Sequence, residues 1–437
     1  MVRIGPMASV FPMLDRRTLL AGLGAAALET CLPTTTSAQA RRSLSLSAKP
    51  DSLSLRPGGA ATPIWSFVGD DIRASRGELL DLTLGNDLPA PLAFYCRGID
   101  GAPAAEPLLA RPPLAAGTKG SFQLPLRHAG TFLCDPRLLN DGQPRPLRAK
   151  PLIVLESERI AVDRDEVLLI EEWRLRPDGT ALAPGVDAKD TMPVYTLNGR
   201  TSFELSARPN ERLRLRFINA SQRTVLAAKL EGHEVLVMAL DGEPAEPFPA
   251  RNGALVLAPG GRADAFVDAV ATASILLHDG KEARPVGRLA VSSEAPLRPA
   301  PLPAAPPLPS NGLPAQLDLK NAQRFELALG TPADWTGPAN FAVSAPPAFR
   351  AKAGRSVVLA LANRGPIAAV VHLHGHHFRL LDRLDDGWKP FWLDTLAIEP
   401  GQTQRIAFLA EHAGRFLIQQ VATDWAAPRL VRWYSVE

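Results

Sequence analysis

Short apolar runs separated by turn residues occur along the whole chain, and they limit its possible folds more than any other feature. Stretches such as residues 121–125 and 151–155 have the length of β-strands and lie between glycine, proline and aspartate turns. The 437 residues include 42 prolines and 33 glycines, which interrupt helices but suit turns. Helical periodicity is weak throughout. The pattern therefore predicts an all-β chain built from β-sandwich domains.

Three segments share this pattern of short strands and turns. We predict a first domain over residues 41–155, a second over residues 156–295 and a third over residues 316–437. Residues 296–315 separate the second domain from the third and contain eight prolines. A proline-rich stretch of this kind predicts a stiff, extended linker.

One strand of the second segment has arginine at every second position. Arg212, Arg214 and Arg216 alternate with Leu213 and Leu215. Successive side chains of a strand point to opposite faces of the sheet. We therefore predict that the leucines face the core and that the arginines face solvent.

The first 40 residues predict an export signal. Arg16 and Arg17 precede the apolar run of residues 21–28, and residues 38–40 read Ala-Gln-Ala, a small-residue cleavage site. This arrangement is typical of a twin-arginine signal, which would deliver a folded protein to the periplasm. Cys31 raises a lipoprotein alternative, but the residues before it do not suit a lipoprotein site.

The hydropathy and the net charge of the chain argue against a transmembrane segment and against binding to nucleic acid. No other stretch is long and apolar enough to span a bilayer, so we predict no transmembrane segment in the mature chain. The net charge of +3 is too small to indicate binding to nucleic acid.

A histidine-rich run in the third segment is the most prominent candidate for metal chemistry. Alternation along a strand predicts that His372, His374 and His376 share one face and that His377 lies on the other. Imidazoles on one face suit a transition metal, although a specific site usually needs three or four convergent ligands. Weak metal binding and a purely structural role both stay open, and the structural role is favoured. Four further histidines are scattered and are predicted to be structural or superficial: His128, His233, His278 and His412.

Short motifs in all three segments resemble the multicopper oxidase family. In chain order the motifs are residues 88–91, 95–99, 129–132 and 151–154, then 196–199, 216–220, 239–242 and 258–264, and finally 372–376, 392–395 and 413–416. Each motif is weak alone, but their order and spacing cover the whole mature chain. The resemblance implies three cupredoxin-like Greek-key β-sandwich domains and, in active members, copper held in four histidine-rich motifs.

The resemblance assigns eight positions of this chain to a cluster of three copper ions. Two of them, His372 and His374, keep histidine. The other six positions, which would be vestigial, carry Tyr95, Arg97, Asp135, Arg137, Gln419 and Val421. A guanidinium neither ligates a metal nor loses its proton. The residual ligand candidates are therefore His372, His374 and the neighbouring His376.

Four further positions are assigned to the electron-transfer copper of active members. This chain has Ala369, Gln420, Trp425 and Leu430 there. Such a copper requires a thiolate and two imidazoles, which these side chains do not supply. The resemblance thus implies that substrate oxidation coupled to oxygen reduction cannot run, and no catalytic residue is assigned.

We hypothesise that an ion cluster fills the vacated cavity. Arg97, Asp135 and Arg137 occupy neighbouring ligand positions, and a buried charge must be paired to be tolerated. The hydrogen-bonding partners of the cluster would be Tyr95, Gln419 and His372. The alternative is that this region has opened to solvent and that the charges are hydrated.

The two cysteines of the mature chain, Cys96 and Cys134, are assigned to adjacent positions on neighbouring strands. In an oxidising compartment they could form a disulfide, which would stabilise the fold by about 3 kcal/mol. The alternative is a pair of buried thiols that pack as small apolar groups. Both interpretations stay open.

These inferences together predict an exported, oxidase-like protein that acts by binding or scaffolding an unknown periplasmic protein partner, without a cofactor. In this respect it is similar to FtsP, a copper-free cell-division protein of the family. The alternative is a divergent copper-binding oxidoreductase or copper-handling protein that uses the residual histidines. Enzymatic activity is left undecided, with a non-enzymatic role favoured.

Overall fold

A computed structural model describes residues 39–69, 72–331, 334–382 and 387–437. Almost all of the predicted export signal therefore lies outside the described residues. Within them, 29 strands form six sheets, and 3-10 helices occur at Pro103–Ala105, Arg251–Gly253 and Pro338–Asn340. The prediction of an all-β chain is confirmed.

The first segment contributes eight strands, which form two four-stranded sheets. The strands are β1 (Arg41–Leu53), β2 (Thr62–Val68), β3 (Ile72–Ser75), β4 (Leu79–Asn86), β5 (Tyr95–Arg97), β6 (Lys119–Pro125), β7 (Gly130–Asp135) and β8 (Lys150–Leu155). The sheets have the orders β2-β1-β4-β6 and β3-β8-β7-β5. Leu44, Leu46 and Ala48 alternate along β1 and are buried in the core, because every second side chain of a strand points to the same face.

The second segment contributes twelve strands in a seven-stranded and a five-stranded sheet. The strands are β9 (Arg164–Leu175), β10 (Ala181–Leu182), β11 (Met192–Leu197), β12 (Phe203–Ala207), β13 (Glu211–Asn219), β14 (Leu226–Leu230), β15 (Leu236–Leu240), β16 (Glu243–Pro249), β17 (Ala254–Leu257), β18 (Arg262–Ala269), β19 (Ala273–His278) and β20 (Ala283–Val291). The larger sheet has the order β10-β9-β13-β18-β15-β16, with β11 also paired to β9, and the smaller has the order β12-β20-β19-β14-β17.

The third segment contributes nine strands in a four-stranded and a five-stranded sheet. The strands are β21 (Gln323–Leu329), β22 (Arg350–Ala351), β23 (Ser356–Asn363), β24 (Ala369–Leu373), β25 (Arg379–Leu380), β26 (Thr395–Ile398), β27 (Thr403–Leu409), β28 (Gly414–Ala422) and β29 (Leu430–Val436). The sheets have the orders β21-β23-β27-β25 and β22-β29-β28-β24-β26.

The three segments repeat one connectivity. Each of the six sheets contains one parallel strand pair, and all other pairings between its strands are antiparallel. The parallel pairs are β1 with β4 and β3 with β8, then β9 with β13 and β12 with β20, and finally β21 with β23 and β22 with β29. Among the described strands, sheet pairing stays within a segment, and each segment encloses its own apolar core.

The arginine-rich strand β13 does not face solvent, so that prediction is wrong. Arg214 and Arg216 are 1% and 0% exposed. Arg214 Nη2 lies 2.6 Å from Asp264 Oδ2, and Arg216 Nη1 lies 2.9 Å from the same oxygen. Thr131 of β7 also contacts this pair, because its hydroxyl donates to Asp264 Oδ1 at 2.5 Å. The first segment therefore covers the arginine face of β13.

The proline-rich stretch of residues 296–315 contains no helix or strand. It is held against the first two segments by hydrogen bonds between side chains and the main chain. Arg76 donates to the carbonyl oxygens of Ser310 and Asn311 at 2.8 and 3.0 Å, and Arg212 donates to that of Pro303 at 2.7 Å. Asn311 Oδ1 accepts from the amide of Ala129 at 2.9 Å.

The buried position of Asp264 generates a stability prediction. We expect Asp264→Asn to lower the free energy of unfolding by about 3–5 kcal/mol, because Arg214 and Arg216 lose their shared counter-charge. Glu204→Gln is the matched control, since Glu204 pairs with Arg288 at a surface where both side chains are about half exposed. The control should lower the free energy by less than about 1 kcal/mol in the same urea titration. Equal effects of the two substitutions would contradict the prediction.

Candidate functional site

The candidate site lies where β5 and β7 of the first segment meet β24 and β28 of the third. Tyr95 of β5 is directly opposite Asp135 of β7, and His372 of β24 is opposite Gln419 of β28. The two strand pairs contact each other, because the Tyr95 hydroxyl lies 3.1 Å from Gln419 Oε1. The residues that the resemblance assigns to one site are thus brought together from both ends of the chain.

Asp135 is the centre of a buried ion cluster. Arg137 donates to its two carboxylate oxygens from Nε and Nη2, at 2.7 and 2.9 Å. Arg97 Nε lies 3.6 Å from Asp135 Oδ2. Burial alone would raise the pKa of Asp135, but the guanidiniums of Arg137 and then Arg97 hold it well below its ordinary value. The structure buries all three side chains, as the hypothesis of a paired cluster expects.

A chain of hydrogen bonds leads from this cluster to the histidines. The Tyr95 hydroxyl is also within 3.3 Å of Asp135 Oδ2. Gln419 Oε1 accepts from Arg429 Nη1 at 3.1 Å, and Gln419 Nε2 lies 2.6 Å from His374 Nε2. The amide oxygen of Gln419 therefore faces the cationic side and its nitrogen faces the imidazole.

His372 and His374 lie side by side, with ring centroids 4.7 Å apart. His374 Nδ1 is 2.5 Å from Glu106 Oε1, so both of its ring nitrogens have partners. His372 Nδ1 is 3.1 Å from the carbonyl oxygen of Asp394. Burial and then the charge of Arg97 lower the pKa of His372 to about 3, so its ring is neutral at physiological pH.

His376 does not share a face with these two histidines, and that part of the prediction is wrong. Strand β24 ends at Leu373, and Gly375 has a φ of +76°, which breaks the two-residue alternation. The ring of His376 packs at 5.0 Å from that of Phe416, and its Nδ1 is 2.7 Å from the Tyr434 hydroxyl. His376 therefore belongs to the core of the third segment.

The positions assigned to the electron-transfer copper hold apolar and amide side chains with local partners. Ala369 and Leu430 pack in the core of the third segment. Gln420 Oε1 accepts from the amide of Gly330 at 3.1 Å. Trp425 Nε1 donates to the carbonyl of Ala183 in the second segment at 3.1 Å. Val421, at the last position assigned to the copper cluster, is buried beside them on β28.

Cys96 and Cys134 face each other across the β5–β7 pair. They are directly opposite in register, and Cys134 is buried. Burial raises the pKa of the Cys96 thiol well above its ordinary value, and the neighbouring Cys134 raises it further. The two sulfurs are thus neighbours in an apolar environment, and the choice between a disulfide and two thiols stays open.

Three residues of the site were missed by the sequence reasoning. Glu106 contacts His374, and the carbonyl oxygen of Asp394 accepts a hydrogen bond from His372. Arg429 adds a third guanidinium to the cluster. Arg429 directly precedes the assigned position Leu430, which was the single local signal for it. Glu106 lies in a loop about 270 residues from His374, so no sequence spacing could connect them.

A small cavity of about 10 Å³ separates the cluster from the third segment. The guanidiniums of Arg97, Arg137 and Arg429 line this cavity. The neutral side chains of His372 and Gln419 line it as well. Buried nitrogens of two of these guanidiniums, Nη1 of Arg97 and Nε of Arg429, have no hydrogen-bond partner. A cavity of this size has room for about one water molecule. The local environment is therefore tightly packed and positively charged.

Two family profiles described as multicopper oxidase match the chain, at residues 165–275 and 316–432, and together they cover just over half of it. The chain is also 23% identical over 412 residues to the multicopper oxidase MmcO of Mycobacterium tuberculosis, an alignment that covers 80% of this chain and 77% of that protein. This protein therefore belongs to the multicopper oxidase family.

Solved structures of the same family share the fold. A multi-copper oxidase from Pseudomonas thermotolerans is 24% identical, with a TM-score of 0.78, and the match covers 92% of this chain and 100% of that one. Lac15 from a marine microbial metagenome is 26% identical, with a TM-score of 0.74 and coverage of 90% and 100%. The prediction of an all-β fold with three cupredoxin-like domains is thereby confirmed.

Asp135 generates a second stability prediction. We expect Asp135→Asn to lower the free energy of unfolding by about 3–5 kcal/mol, because Arg137 and Arg97 stay buried without a counter-charge. The double variant Asp135→Asn with Arg137→Met should lose less stability than the sum of its single variants, since it removes both charges. Chemical denaturation measures all three variants.

The exposed Asp187, which lies 3.6 Å from Lys189, supplies the matched control. Asp187→Asn should lower the free energy of unfolding by less than about 1 kcal/mol. Strict additivity of the Asp135 and Arg137 substitutions would contradict the cluster.

Proposed function

We propose that this protein keeps the multicopper oxidase fold without the copper sites, and that it acts as a periplasmic binding or scaffold protein. The observation that carries the proposal is the bidentate ion pair between Arg137 and Asp135, at two positions assigned to copper-binding imidazoles. A guanidinium stays protonated and offers no lone pair to a metal. The side chains at the assigned copper positions would therefore not hold the redox metal that oxidation of a substrate requires.

The chemistry of the donor set supports this proposal. Three guanidiniums line the cavity, and the carboxylate of Asp135 pairs with two of them. The remaining positive charge repels further cations. The two nitrogens of His374 already contact Glu106 and Gln419, which leaves neither of them free for a metal. Room for about one water molecule also does not suit three metal ions. The residues present therefore do not fit a three-copper cluster.

The positions assigned to the electron-transfer copper also lack side chains that could bind the metal. The positions of its ligands hold Ala369, Gln420, Trp425 and Leu430, and none of these is a thiolate or an imidazole. Without both copper centres, electrons from a substrate have no route to oxygen. A role in binding is the simplest function for a protein that has the fold of the family without its copper-ligand side chains.

A second candidate function uses the residual histidines. His372 is neutral, and its ring lies 4.7 Å from that of His374. Two imidazoles this close together are potential ligands for a single copper ion. On this alternative the protein would be a divergent oxidoreductase or would carry copper.

The proposed location is the periplasm, reached by the twin-arginine route. The signal motif in residues 1–40 supports this proposal. In the part of the chain that the structure describes, no helix has the length and hydropathy needed to cross a bilayer. The partner would be another periplasmic protein rather than nucleic acid, because the net charge of the chain is only +3.

Metal analysis tests the proposal directly. We expect the protein, folded with excess copper and then dialysed against a weak chelator, to retain at most about one copper ion per chain. It should show no intense blue absorption and no oxygen uptake with a phenolic substrate. An active multicopper oxidase treated identically is the control. Three or more copper ions per chain, or turnover of the phenol, would refute the copper-free proposal.

The histidine alternative has its own arm in this experiment. If one copper ion is retained by the unchanged chain and lost in the double variant His372→Gln with His374→Gln, the residual histidines bind it. Retention of that ion by the double variant excludes them.

Export and cysteine chemistry can be tested together. Residues directly opposite on antiparallel strands have Cα atoms about 4.5–5.5 Å apart, a distance that a disulfide can bridge. We therefore expect the exported, denatured protein to show no free thiol at Cys96 and Cys134. The variant Arg16→Lys with Arg17→Lys should stay in the cytoplasm and show two thiols at these positions. Two free thiols in the exported protein would exclude the disulfide, and periplasmic delivery of the variant would contradict the export route.

A further inference from the structure

Four ionisable side chains converge where the three segments meet, apart from the positions assigned to copper. Asp100 follows β5 and His128 precedes β7, both in the first segment. Glu243 begins β16 in the second segment, and His377 follows β24 in the third. The side chains of Asp100, Glu243 and His377 are at most 5% exposed, and that of His128 is 11% exposed.

The four candidate donor atoms alternate between nitrogen and oxygen around a closed ring. Asp100 Oδ2 lies 2.8 Å from His377 Nδ1, and Glu243 Oε1 lies 2.7 Å from His128 Nδ1. The two remaining sides of the ring, His128 Nδ1 to Asp100 Oδ2 and His377 Nδ1 to Glu243 Oε1, are both 4.0 Å. Ligand atoms in a tetrahedral zinc site with bonds of about 2.0 Å are about 3.3 Å apart. The observed sides bracket that separation.

Hydrogen bonds to the second heteroatom of His377 and of Glu243 fix the orientation of these two side chains, as is usual for metal ligands. The other nitrogen of His377, Nε2, lies 3.0 Å from the carbonyl oxygen of Asp241, to which its N–H donates. The other oxygen of Glu243, Oε2, accepts from Asn311 Nδ2 at 3.2 Å. Metal-binding histidines and carboxylates usually make such contacts with their second heteroatom. In each case the atom left over is the one that faces the ring.

One short side of the ring is an ion pair without an aligned hydrogen bond. His128 Nδ1 and Glu243 Oε1 are only 2.7 Å apart, yet neither buried atom has a hydrogen-bond partner of acceptable geometry. The nitrogen and the oxygen therefore approach each other without the N–H direction meeting the oxygen. Such misalignment is expected where both atoms point toward a metal ion that would lie between them.

We propose that Asp100, His128, Glu243 and His377 bind one Zn²⁺ ion, which links the three segments. Two carboxylates neutralise the charge of the dication, and two imidazoles with two carboxylate oxygens complete a four-coordinate shell. To reach zinc geometry, the two short sides of the ring would open by about 0.5 Å and the two long sides would close by about 0.7 Å. The ligand atoms of Asp100, His128 and His377 already lie within 4.8 Å of one another. The partly exposed edge of His128 provides the route by which the ion enters.

Zinc titration of the full-length chain tests this site. The chain is stripped with a chelator, incubated with Zn²⁺ and measured for bound metal and for melting temperature. We expect about one zinc ion per chain and a higher melting temperature with zinc than without it. Cobalt in place of zinc should produce the visible absorption of a tetrahedral cobalt complex.

Two substitutions separate ligands from supporting residues. His128→Gln removes a ligand at the exposed edge and should reduce zinc affinity by more than about 100-fold. Asn311→Ala removes the contact behind Glu243, together with the hydrogen bonds of Asn311 to Ala129, and should reduce zinc affinity by about 10–100-fold. The circular dichroism spectrum establishes that each variant is folded.

The double variant His372→Gln with His374→Gln is the matched control and should bind zinc as the unchanged chain does. The proposal is overturned if the unchanged chain binds no zinc, if His128→Gln retains it, or if the control loses it. None of these outcomes bears on the copper-free proposal, because the four ligands lie outside the assigned copper positions.

Discussion

The pairing of charges that the fold removes from water is the interaction on which this structure depends. Asp135, Asp264 and Asp394 are each at most 1% exposed, and each contacts a buried arginine at 2.7 Å or less. The contact of Asp394 crosses from one segment to another. Arg262 of the second segment binds both carboxylate oxygens of Asp394 in the third. Because an unpaired buried charge costs several kcal/mol, these pairs constrain how the segments can pack.

The same constraint relates the two proposals to each other. A junction between three sandwiches leaves polar side chains without water, and they must be satisfied by one another or by an ion. Around Asp135 the partners are guanidiniums, which satisfy the carboxylate and disfavour a cation. Around Asp100 the partners are imidazoles and a second carboxylate, a set that suits a divalent metal. The chemistry of each junction thus follows from which charged groups the segments bring to it.

Local patterns were sufficient for the strands and insufficient for their faces. Leu213 and Leu215 lie in a core, as predicted, because their alternation is visible within a few residues. Arg216 shows an equally clear alternation, but its face of the sheet is covered by Thr131 of another segment. His376 left the expected face because Gly375 ends the alternation, and a glycine permits such a turn without requiring it.

The sequence by itself determined the all-β class, the three repeated segments and the membership of Arg97, Asp135 and Gln419 in one site, because motif order and strand periodicity are properties of the chain. Only the tertiary structure decided which charges pair. Glu106 meets His374, and His128 approaches His377, across about 250 residues or more. Such contacts depend on how separate sandwiches dock. Short-range sequence patterns do not predict how the sandwiches dock, because the residues in contact are far apart along the chain.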